Sequence, residues 1–205
     1  MHWGRIYPSE SLARRFDRVL RILESWDYLD DWKLTEAGKT LARLFHECDL
    51  LVAEALRRGL LDDLDAAAFA ALVSVFTYEH RSPEAPPAPW FPSPSVRRRW
   101  LAIEKLGRQL NEIEDEAGLP ATRAPDPTFA AVAYAWAAGE AFADVVEEEE
   151  LSGGDFVRNV KQLIDLLRQL ALLAPAASTR SVATEAADRL FRGVVAASTA
   201  IEDDR

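Results

Sequence analysis

Cysteine is nearly missing from this chain. Cys48 stands alone in 205 residues, so no disulfide can close within it, and that usage fits a reducing compartment. Long apolar runs are missing as well. None approaches the roughly 20 residues of a membrane span, and the N-terminus lacks the basic-then-apolar order of a signal peptide. A soluble, cytoplasmic protein with no membrane partner is the expectation. Positive charge is short: 24 Lys and Arg face 34 Asp and Glu, a net charge of −10 and a pI near 4.9. Such a balance argues against a free-standing nucleic-acid binder, whose affinity comes mainly from cations that neutralise phosphates. Contact with nucleic acid would be local and helped from elsewhere.

Motifs for catalysis are wanting too. Gly38-Lys39-Thr40 has the look of the end of a phosphate-binding loop, but Lys33 stands where the first glycine is required and no apolar strand feeds the segment. His46-Glu47 opens like a zinc-protease helix, but Leu50 replaces the second histidine, and His2 and His80 lie far away. No serine sits in a nucleophile elbow, and no Glu-x-x-His pair serves a bundle-core metal. Neither a metal, a bound cofactor nor an independent active site is expected. Arg97-Arg98-Arg99 is the one compact basic cluster; a solvated helix start is the expectation, with a phosphate grip as the alternative.

What is present is a core. Apolar residues make up 49% of the chain, with six Trp and nine Phe, enough for one domain or two small ones. Helical periodicity recurs from end to end. Ser9–Ser25 places Leu12, Phe16, Val19, Leu20 and Leu23 on one face. Trp26–Leu34 reads as a tiny hairpin around an Asp-Asp pair. Thr35 caps a helix carrying Leu41, Leu44 and Phe45 inward, Asp49 caps another that stops at Gly59, and Asp65 caps a third with Phe69, Leu72, Val73 and Phe76 inside. Arg81–Ser95 holds too many prolines for helix or central strand and forms a stiff connector pinned by Trp90 and Phe91. Ser95–Ala117 is a long helix, Thr128–Glu140 an alanine-rich one that Gly139 bends, and Ala141–Glu149 its continuation or a restart, ending in the solvated acidic run Glu147–Glu150. Ser181–Ile201 is the last helix, with Val182, Ala186, Leu190, Val194 and Ile201 inside. The class is mainly α, a bundle of about seven to eight helices. Residues 1–48 form a small winged-helix-like fragment or linker with one short hairpin, and residues 49–205 the bundle, with its connector at 81–95.

One stretch organises the rest. In Gly153–Ala171 the residues Phe156, Val160, Leu163, Ile164, Leu167 and Ala171 make one buried face. Arg158, Lys161, Gln162, Asp165 and Gln169 fall together opposite, along roughly 16 Å of helix. A line of hydrogen-bonding groups suits contact with an extended polymer; a plain solvated face is the alternative.

Three runs of residues carry a resemblance. Leu34-Thr35-Glu36-Ala37-Gly38-Lys39 leads into Asp49-Leu50-Leu51-Val52-Ala53-Glu54, Gly59 and Leu64. Thr122-Arg123-Ala124-Pro125-Asp126 with Phe129 precedes Trp136-Ala137-Ala138-Gly139. Gly154-Asp155-Phe156-Val157-Arg158 precedes Gln162 through Gln169. In this order they resemble the DSHCT domain, the C-terminal helical region of superkiller-like, exosome-associated DExH-box helicases and their bacterial HelY-like relatives. The likeness runs from about Phe16 to the C-terminus. It implies a domain that packs on a RecA-like helicase core and lies along the path of single-stranded RNA or DNA. A ratchet helix at Phe156–Ala171 would place Arg158, Lys161, Gln162, Asp165 and Gln169 against the strand. Gln162 departs from the arginine of eukaryotic relatives, which implies a weaker, hydrogen-bonding contact. ATP and Mg²⁺ would belong to the helicase core, which these residues lack, so the chain would be a piece of a longer protein and by itself no ATPase. A nuclease complex is a further expected partner. The competing reading is a protein-interaction module that docks a helicase or nuclease partner through its acidic surface.

Overall fold

The computed structural model describes residues 12–147 and 152–203, so the expected helix start at Ser9 and most of the acidic run Glu147–Glu150 lie outside the described residues. Among the described residues the chain is helical apart from one hairpin. In order the elements are α1 (Leu12–Ser25), β1 (Leu29–Asp30), β2 (Lys33–Leu34), α2 (Glu36–Leu41), α3 (Asp49–Arg57), α4 (Ala66–Thr77), α5 (Pro94–Glu116), α6 (Ala130–Ala138), α7 (Phe142–Glu147), α8 (Gly153–Leu173), α9 (Ala177–Leu190) and α10 (Gly193–Asp203). These ten helices exceed the expected seven to eight because two long periodic runs are each cut by a left-handed glycine. Gly139 (φ +103) ends α6 rather than bending it, and Gly193 (φ +51) separates α9 from α10 inside the stretch expected as a single helix.

The middle of the bundle is α4. Every residue from Ala66 to Phe76 is buried, with Asp65 capping the Ala68 N–H at 2.9 Å. Its alanines let α6, α8 and α9 approach on different sides. Along α8 the face expected to be inside is inside: Phe156, Val160, Leu163 and Leu167 have no exposed surface. Phe156 also sits edge-on to Trp136 (5.2 Å) and Phe142 (5.3 Å), arrangements each worth about 0.5–1.5 kcal/mol beyond area burial. Ser152 caps the helix by accepting the Asp155 N–H at 3.1 Å.

The N-terminal elements are joined to this bundle by one buried carboxylate. Glu54 is fully buried and accepts from Tyr28 Oη at 2.9 Å, Arg57 Nε at 2.8 Å and Arg58 Nε at 2.7 Å. Burial works to raise its pKa, but the hydrogen bonds from Arg57, Arg58 and Tyr28 prevail and hold it below the ordinary glutamate value. Tyr28 heads the antiparallel hairpin, whose register is Leu29↔Leu34 and Asp30↔Lys33. Asp31 and Trp32 turn it with positive φ at both positions, the geometry of a type I′ turn. The hairpin rests on α2 through Gly38, where an added Cβ would fall 2.1 Å from the Tyr28 carbonyl oxygen.

Several boundaries and faces differ from expectation. Ser93, not Ser95, caps α5 by accepting the Val96 N–H, and Pro94 takes the first helical position that suits it. Asp49 is the first residue of α3 and accepts from the adjacent Leu50 N–H, without capping from the preceding position. On α1 only Ile22 is buried, while Leu12, Phe16 and Val19 are exposed. The amphipathic pattern there is real, and its C-terminal part packs inward at Ile22 and Leu23, but no described element covers Leu12, Phe16 and Val19. Phe45 is exposed as well (81%), because α2 stops at Leu41 and the helical spacing that would carry Phe45 inward stops with it. The connector is pinned as expected, Trp90 against Tyr134 and Phe91 against Trp100.

A strap formed by residues 122–126 then fixes the exit from α4. Thr122 donates through its N–H and Oγ1 to the two oxygens of Glu114 on α5. Arg123 donates to the carbonyls of Phe76 and Tyr78 (2.6 Å for Tyr78) and to Glu47 Oε1 at 2.7 Å. Asp126 accepts the His80 N–H at 2.6 Å, and its own N–H donates to Val75 O at 2.8 Å. The strap lies so close to α5 that a Cβ at Gly107 would meet Pro125 Cδ at 3.0 Å.

Two outcomes follow from these contacts. Replacing Glu54 with Gln is expected to lower stability by about 1–3 kcal/mol at neutral pH. A depressed folded-state pKa contributes stability that is present above the ordinary glutamate value and lost as pH falls below it and through the lower folded-state value, so the difference from wild type should shrink below about pH 4; urea titrations across pH measure both. Arg123→Ala should speed amide hydrogen exchange in residues 44–48 and 77–82 and leave α9 protected, and uniform exchange changes across the chain would refute the local role.

Candidate nucleic-acid interface

The polar side of α8 does not simply face solvent. It forms one wall of an open groove of about 1000 Å³. The opposite wall has two parts, the α2–α3 loop with Phe45, His46 and Glu47, and the end of α4 with the following turn, including Tyr78, Glu79 and Arg81. From α8 come Asp155, Arg158, Asn159, Gln162, Asp165 and Gln169. The strap described above holds the opposite wall, since Arg123 binds Glu47 on one part and the Phe76 and Tyr78 carbonyls on the other.

Of the five residues expected to meet a strand, four line the groove: Arg158, Gln162, Asp165 and Gln169. Lys161 is half-buried and lies outside that lining. At about 100° per residue it falls roughly 60° round the helix from Arg158, on the flank that also carries Arg168. Arg168 packs over the ring of Phe191, 5.7 Å from its centroid. Arg158 pairs with Asp155 one turn earlier at 2.7 Å, with the guanidinium side chain 63% exposed. Asp165 makes no ion pair among the described residues. Gln169 is committed elsewhere: its Oε1 accepts the Phe45 N–H at 2.8 Å, and its Nε2 donates to the Phe45 carbonyl at 3.4 Å.

The lining carries four carboxylates (Glu47, Glu79, Asp155, Asp165) and two guanidiniums (Arg81, Arg158). Arg81 is paired with Glu79 at 2.8 Å, so both cations are already compensated. This is a surface of hydrogen-bonding groups with little net attraction for phosphate. His46 Nδ1 accepts the Cys48 N–H at 3.0 Å, and burial pushes its pKa down, so the ring stays neutral. Burial pushes the Cys48 thiol up to about 11, which leaves it inert at neutral pH. Among the described residues no group of His, Cys, Asp and Glu could hold a metal ion. The basic cluster is also structural in part: Arg99 donates to the carbonyls of Leu60 and Asp62 in the α3–α4 loop.

Sequence periodicity missed the opposite wall altogether. The Asp155–Arg158 pair could have been read from its i, i+3 spacing. Phe45 and the Tyr78–Arg81 turn had no such signal, since they reach α8 only through contacts across most of the chain.

Residues 31–198 match the DSHCT (NUC185) domain. Over 202 residues the chain is 38% identical to the probable helicase HelY of Mycobacterium leprae, which covers 92% of this chain and 22% of that protein. The probable helicase HelY of Mycobacterium tuberculosis is 37% identical with the same coverage. The human exosome RNA helicase MTR4 is 27% identical over 143 residues, 68% of this chain and 13% of that protein. The chain therefore spans 22% of the length of the HelY relatives it matches. By its matched domain and by these relatives, this chain belongs to the DSHCT family of helicase domains.

Proposed function

We propose that this chain is a non-catalytic accessory domain of an ATP-dependent DExH-box helicase and that single-stranded nucleic acid is guided along α8. The observation that carries the reading is the groove, in which four polar residues spaced along one helix face a second polar wall across an open channel. A strand lying there meets Arg158 and Arg81 at its phosphates, and Gln162, Asn159 and Asp165 at its bases or sugars. Contacts of that kind tolerate any sequence. Carboxylates outnumber cations in the lining, so hydrogen bonds rather than charge supply the hold. The chain takes no cofactor of its own on this reading; ATP and Mg²⁺ belong to the helicase core.

The rest of such a helicase also supplies a cover for α1. Leu12, Phe16 and Val19 are 84%, 54% and 39% exposed along one face of α1. Their exposure favours docking on a protein surface, and it moves the interaction-module reading from the acidic surface to this apolar face. A nuclease-insensitive pull-down of the helicase core that Phe16→Ser abolishes would support that docking; capture unaffected by the substitution would count against it.

In the longer helicase, Arg158→Ala and Gln162→Ala are each expected to slow unwinding several-fold and leave basal ATP hydrolysis unchanged; unaltered unwinding in both would remove α8 from the strand path. For the 205-residue chain alone, binding to a single strand should be weak. Two cations in the groove limit the salt dependence to a log–log slope no steeper than about −1.4. A steeper slope, measured by anisotropy titrations at several salt concentrations, would place the strand on another surface.

A further inference from the structure

Phe45 is an 81% exposed aromatic ring on the rim of a groove lined mostly by polar side chains, with Leu166 and Tyr78 also in the lining. An exposed phenylalanine in the loop after a short helix is ordinarily loosely held, but here the backbone is clamped. The single amide of Gln169 takes both the N–H and the carbonyl of Phe45, at 2.8 and 3.4 Å. The neighbouring residues are fixed as well, with His46 Nδ1 holding the Cys48 N–H and Glu47 bound by Arg123. A polar side chain of α8 is thus used to hold an apolar ring at the groove that Gln162 and Asp165 also line.

We propose that Phe45 is a stacking platform for one unpaired base of the strand in this groove, and that Gln169 is its positioning residue. The inference rests on the groove being the strand site and adds to it the group that holds a base. A base fits these surroundings better than a protein side does. It offers a flat face to the ring and polar edges to the carboxylate and amides around it, and stacking works for every base because each has a π face. A docking protein would call for a larger apolar face, as on α1, whereas around Phe45 polar side chains outnumber Tyr78 and Leu166. The platform also explains how a lining with more carboxylates than cations can hold a polyanion, since stacking attraction needs no charge.

The test uses the 205-residue chain with a fluorescein-labelled oligouridylate at low salt, and a thiouridine-containing version for photo-crosslinking. Phe45→Leu keeps an apolar side chain without a ring and, at an exposed site, leaves the fold intact. It is expected to weaken binding roughly 5- to 100-fold, the range for loss of one base stack. Phe45→Trp should restore or tighten binding, which a merely structural role would not produce. Gln169→Ala should weaken binding less than Phe45→Leu. Crosslinks should map to the tryptic peptide Leu44–Arg57, and an adduct pattern that omits this peptide overturns the platform. If Phe45→Leu binds like wild type and Arg158→Ala does not, the platform is wrong and the groove reading stands. If neither substitution changes binding, both fall. If Phe45→Leu impairs association with the helicase core and not with the strand, the ring is a protein contact and the proposal is overturned.

Discussion

The guanidinium of Arg123 is the contact on which the shape of this domain most depends. It takes carbonyls from the last turn of α4 and the residue after it, and it pairs with Glu47 from the α2–α3 loop. Carbonyls at a helix C-terminus have no partner within the helix. Arg123 meets that need with a charged donor and converts the end of α4 into a fixed edge. Thr122 and Asp126 extend the same device to α5 and to the turn that follows Tyr78. Without this strap α8 would still be buried on its apolar side, and the second wall would keep the Gln169 clamp on Phe45 but lose the contacts that join its two parts.

Glu54 performs the equivalent task for the N-terminal elements. A fully buried carboxylate is costly to desolvate, and three hydrogen-bonding partners offset that cost here. Arg57 and Arg58 stay partly in water, so the network joins the hairpin to α3 without isolating two cations in the core. The same burial raises the pKa of Tyr28, and its hydroxyl remains a proton donor to Glu54 at every ordinary pH.

How much of this was legible in the sequence depended on distance along the chain. The apolar period of α8 runs without interruption, and its buried face was named correctly because a long helix leaves no alternative. The caps at Thr35 and Asp65 were legible for the same local reason. Phe45 was assigned inward by extending a period past the end of α2, where the chain has already left the helix. Leu12, Phe16 and Val19 showed that periodicity identifies an apolar face and says nothing of what covers it. Gly193 breaks the last run because the chain turns there, and a lone glycine in a helical pattern does not announce that choice. Arg123 lay inside a motif that carried the family likeness, but its role is a set of contacts reaching back 45 residues and more, to Tyr78, Phe76 and Glu47. No window of sequence contains them. The resemblance supplied the family, and the matched domain and the relatives bore it out.

The Arg158–Asp155 pair has a consequence for motion. A lone guanidinium in a groove would attract a phosphate more strongly than a paired one does. One that already has a carboxylate exchanges partners, giving up an ion pair as it gains another, so the free energy along a moving strand stays nearly level. Arg81 and Glu79 on the facing wall repeat the arrangement. For a strand drawn past α8 as proposed, paired cations act on its phosphates as a bearing rather than a clamp, and the place where it pauses is the ring of Phe45.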